Sequence, residues 1–105
     1  MSWIYLIIAS IFEIGWPLGL KFADTTTHRV VWIVFAIVTM ALSGYFLYLA
    51  QKQIAIGTAY AIWTGLGMVG TFVLGIVLFQ DALSLLRFIG VFLILSGVII
   101  LKLCH

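Results

Sequence analysis

Residues 3–20 read WIYLIIASIFEIGWPLGL, an apolar run whose only charged side chain is Glu13. Its length is close to the roughly 20 residues that a helix needs to cross the hydrocarbon of a bilayer. Such a helix would set Glu13 about 15 Å from Trp3 and about 12 Å from Lys21. That is near mid-membrane, where a carboxylate is costly enough to be paired, protonated or part of a substrate or proton path.

Three more runs of the same kind follow. Residues 30–51 and 53–80 contain no charge, and residues 82–101 contain only Arg87. The chain as a whole is 66% hydrophobic and 8% charged, with mean hydropathy +1.35, far from the mix that lets a soluble domain cover itself with polar groups. The pattern specifies an all-α polytopic membrane protein, one domain over residues 1–105, with helices at about 3–20, 30–50, 54–79 and 84–102. A β-barrel is excluded because the runs are continuous rather than alternating. The longest connection is expected at about 21–29, and the other two are tight turns near 51–53 and 80–84, so recognition must happen among the helices. The first span is expected to stay in the mature protein, since no basic residue precedes it.

Lysine and arginine barely bias the orientation. Four spans put Lys52 and Lys102 on one side and Lys21, Arg29 and Arg87 on the other. The reading favoured is insertion in both orientations and an antiparallel homodimer, a size of unit that four helices also call for if a solvated path is to be enclosed. On the last helix Gly90 and Gly97 share a face with apolar residues and are candidates for close dimer packing.

The face of the first helix that holds Glu13 also holds Ser10, Trp16 and Pro17, because residues three and four apart stack on one side. An indole one turn from a buried carboxylate offers either simple packing or a site for a small cation, the ring giving its quadrupole and the acid its charge. Pro17 removes the backbone donor that would reach the Glu13 carbonyl and should bend or loosen that turn. In the third run, 57–71 reads GTAYAIWTGLGMVGT; Tyr60, Trp63 and Gly67 fall near one face, and Tyr60 could donate to a carboxylate. Gly65, Gly67 and Gly70 permit either close crossings or the flexing that a gate requires. Ser43, in the second run, becomes a candidate if its face meets Glu13.

Proton and cation competing for the same carboxylates would let a proton gradient drive cation export, with no cofactor beyond the coupling proton. A channel would line its path with repeated polar groups, whereas these cluster at one depth. A structural subunit gives no reason to keep an unpaired acid. Enzymatic and nucleic-acid roles lack their chemistry: His28 lies in a loop, His105 beside the lone Cys104 makes no metal cluster, no phosphate cradle is present, and a net charge of +2 is no basic surface.

Three segments, FEIGWPLGLKF at 12–22, GTAYAIWTGLGMVG at 57–70 and SGVIILKL at 96–103, make the chain resemble the small multidrug resistance transporters, in particular their guanidinium-exporter branch. The resemblance implies four-helix protomers in an antiparallel dual-topology dimer of the inner (plasma) membrane, with Glu13 of both chains as the shared proton and cation site. It implies that Trp16, Ser43, Tyr60 and Trp63 line that site, with Ser10 near it. The implied activity is proton-coupled efflux of guanidinium and small substituted guanidinium cations, the alternative being the sibling branch's bulky quaternary ammonium compounds. Ser10 and Pro17 stand where the family pattern has glycine and a small helix-compatible residue, which bears on substrate breadth.

Overall fold

The computed structural model describes residues 1–104; His105, set aside above as a metal ligand, lies outside the described residues. Four helices account for nearly all of them: α1 (Ser2–Thr25), α2 (Arg29–Ala50), α3 (Ile56–Phe79) and α4 (Leu85–Cys104). Each is long and apolar enough to cross a membrane. None of the first three carries a side-chain N-cap hydrogen bond, as suits ends that meet water and headgroups rather than protein.

The first helix is longer than its apolar run. It continues past Lys21 to Thr25, with the Thr25 and Thr26 hydroxyls donating to the carbonyls of Lys21 and Phe22 one turn back. The α1–α2 connection is therefore only residues 26–28, much shorter than the polar composition suggests. Apolarity marks where a helix crosses hydrocarbon, not where its backbone stops. Pro17 is accommodated within α1 without interrupting it.

The α2–α3 turn is pinned from two directions. Ile54 is buried at 2% exposure in the cluster with Leu6, Ala50, Ala59, Ile62 and Val98, and the Ser2 hydroxyl donates to the Gln53 side chain at 3.0 Å. At the other end α3 stops at Gln80, the only non-glycine residue with positive φ among those described (56°), and the Asp81 N–H reaches back to the Gly75 carbonyl at 3.2 Å. Ser84 then caps α4, accepting from the Arg87 N–H at 3.2 Å.

The helices do not close into a bundle. α1 lies between α2 and α3, and α4 packs on the far side of α3, giving Cα extents of 44 × 34 × 16 Å. The shortest extent is less than half of either of the others. Only long side chains span from α4 to α1, as where the Lys102 ammonium sits 5.6 Å from the Trp3 ring centroid. Broad apolar surfaces of α2 and α4 are left for lipid or protein to cover.

Candidate cation site on the α1–α3 seam

The seam is set by glycine. A Cβ at Gly67 would run into the Glu13 side chain, and one at Gly70 would run into Ile14, so α3 approaches α1 closely only because these positions have none. Gly65 does the same toward α4, where a Cβ would lie 2.6 Å from Val98 Cγ2. All three glycines proposed above for flexing are thus points of helix contact.

Glu13 is half-buried in the middle of α1. The Trp16 indole N–H donates to its Oε1 from one turn along the helix, and both side chains line one cavity. That cavity has a volume of about 390 Å³ and is lined by Glu13, Trp16, Pro17, Gly67, Met68, Thr71, Phe72 and Asp81. No lysine or arginine is among its walls. Met68 and Phe72 are apolar walls of the same cavity, which holds no basic group to compensate a charge on the acid.

A second polar cluster lies one turn toward the start of α1. The Ser43 hydroxyl, 1% exposed, donates to the Ala9 carbonyl at 2.7 Å and accepts the Trp63 indole N–H at 2.7 Å. One side chain thereby ties α2 to α1 and α3. The Tyr60 ring meets Trp63 edge to face at 5.3 Å between centroids and is 56% exposed.

These positions divide the candidates into groups. Glu13 and Trp16 are in direct contact, and Ser43, Trp63 and Tyr60 form a neighbouring set that reaches the Glu13 helix at Ala9. Tyr60 is only the fifth residue of α3, roughly 10 Å below Gly67 along the axis, and the carboxylate bond that the sequence offered it is not made: no hydrogen bond joins it to Glu13 among the described residues. Ser10 turns its hydroxyl onto its own helix, donating to the Leu6 carbonyl at 2.8 Å, so it does not supply a polar group to the cavity. Gly90 and Gly97 have open space where a Cβ would stand. No group of His, Cys, Asp and Glu able to hold a metal occurs among the described residues.

Sequence spacing missed Asp81, Thr71 and Phe72 as walls of the Glu13 cavity. Gly67, Thr71 and Gly75 at intervals of four on α3 were the available signal for a groove along that helix.

Comparison with known proteins fits this geometry. The profile of the family described as Small Multidrug Resistance protein matches residues 1–94. A protein of Yersinia pseudotuberculosis named guanidinium exporter is 46% identical over 103 residues, covering 98% of each chain. Proteins of the same name from Escherichia coli K12 and Proteus vulgaris are each 42% identical over 106 residues, covering 98% of this chain and 97% and 98% of their own.

Proposed function

The chain belongs to the Small Multidrug Resistance family, and from that premise we propose that it exports guanidinium and small substituted guanidinium cations in exchange for protons, as an antiparallel homodimer. It is a multi-pass membrane transporter. The observation that carries the reading is Glu13, held in mid-span in a cavity without a basic residue.

Guanidinium is planar, carries donors around its edge and stays protonated near neutrality, so a carboxylate can meet it through two parallel hydrogen bonds. Trp16 supports that geometry by holding one oxygen of Glu13 in place while its ring offers a face to the cation. A proton takes the same oxygens, so proton and cation exclude one another, and a site that changes sides only when occupied exchanges the two. Tetraalkylammonium ions have no donors to satisfy the carboxylate and would rely on aromatic volume instead.

The flat shape of the protomer supports a second copy. Its Glu13 cavity lies on an open seam, and the near balance of Lys52 and Lys102 against Lys21, Arg29 and Arg87 favours insertion both ways round. Purified protein in proteoliposomes under a proton gradient is expected to move guanidinium against its own gradient, and Glu13→Gln to lose at least tenfold of that coupled flux. Absence of native flux, or full flux in Glu13→Gln, sinks the proposal. A panel of methylated guanidines and a tetraalkylammonium ion tests the class: stronger transport of the latter would move the chain to the quaternary-ammonium reading.

A further inference from the structure

Asp81 belongs by sequence to a turn, yet its carboxylate is turned back along α3. Its Oδ2 lies 2.5 Å from where a Cβ on Gly75 would stand, and Asp81 lines the Glu13 cavity. A second cavity, of about 210 Å³, continues outward and is lined by Pro17, Lys21, Thr71, Gly75, Phe79 and Asp81, among others. The two share Pro17, Thr71 and Asp81, so they form one groove.

The floor of that groove is one face of α3. Gly67 abuts Glu13, Thr71 stands one turn on, and Gly75 a turn beyond it supports Asp81. Eight residues of helix separate the two glycines, which sets the carboxylates about 12 Å apart along the axis. They are too distant to share one guanidinium. Thr71, a wall of both cavities, is about midway between them.

Both cations near the mouth are drawn onto aromatic faces rather than onto Asp81. The Lys21 ammonium lies 5.9 Å from the Phe79 ring centroid, and the Arg87 guanidinium lies 5.0 Å from that of Phe72 while also donating to the Ala82 carbonyl at 2.8 Å. Asp81 is exposed and so can be reached from water.

We propose that this groove is the cation's route between Glu13 and one membrane surface, with Asp81 as an outer capture site for guanidinium-type cations and Thr71 as a hydrogen-bonding step between them. The proposal rests on Glu13 being a cation site. A carboxylate at the mouth that neither neighbouring cation engages attracts arriving cations and speeds their capture, an effect that salt screens. It therefore acts on the apparent KM more than on the saturated rate.

The test uses the full-length protein in proteoliposomes, with guanidinium chloride as probe, at low and high ionic strength. Asp81→Asn is expected to raise the apparent KM about three- to tenfold at low salt, with the maximal rate changing less than twofold, and the difference is expected to shrink at high salt. Asp81→Glu keeps the charge and should stay within twofold of native. Gly75→Ala pushes the carboxylate out of its seat without removing it and should move KM in the same direction as Asp81→Asn. Native transport with Asp81→Asn unaltered in KM and salt dependence overturns the capture site alone. Failure of native protein to transport guanidinium sinks the functional reading instead, before any variant is compared.

Discussion

Trp16 and Ser43 show how single polar contacts organise the site. The Trp16 N–H holds one oxygen of the carboxylate in place, so Trp16→Phe, which keeps the ring and deletes the donor, should weaken guanidinium binding about three- to tenfold by calorimetry. Ser43→Ala removes the bond to Ala9 and strands the Trp63 N–H; an expected loss of about 1–3 kcal/mol would appear as a lower unfolding midpoint in detergent, with Ser43→Thr recovering most of it. Thr64 is the contrasting hydroxyl: its Oγ1 is buried without a partner among the described residues, and Thr64→Val should be neutral or slightly stabilising in the same measurement. The depth of Glu13 and the nearness of Trp16 were legible because both depend on spacing along one helix. The Ser43 bond was not, since its partner lies 34 residues away and is chosen by how two helices cross.

At the scale of the element, the glycines of α3 separate into those that touch another helix and those that do not. Gly67→Ala and Gly70→Ala force the α1–α3 seam apart and should each cost about 1–3 kcal/mol, whereas Gly57→Ala, at a position open to solvent or lipid, should cost nothing measurable by the same thermal assay. A gating role for Gly67 and Gly70 would have to act through this seam, where small changes move Glu13 directly, and one for Gly65 through the α3–α4 contact. Four apolar runs were enough to number the spans, while their ends were less readable: α1 gained the polar residues 21–25, whose helical state is favoured by continuation of an existing helix. The turn back of Asp81 was hidden as well, because it depends on the left-handed conformation of Gln80 and on the missing side chain of Gly75.

For the molecule as a whole, helices that do not close into a bundle add to the charge balance as support for the proposed second copy. α4 has one buried residue, Val98, and presents Gly90 and Gly97 on unoccupied surface. Placing a large side chain there, as in Gly97→Leu, is expected to reduce the dimer fraction seen by cross-linking in membranes while leaving the helical signal of the chain intact; an undiminished dimer would put the contact elsewhere. If the proposed dimer is the working unit, a helix supported along only one side also makes that working state depend on surface density. Each tenfold dilution in lipid removes about 1.4 kcal/mol of association free energy, so transport per chain should fall steeply below some protein-to-lipid ratio. A cell could then silence the transporter through scarcity alone, with no inhibitor and no modification of the site.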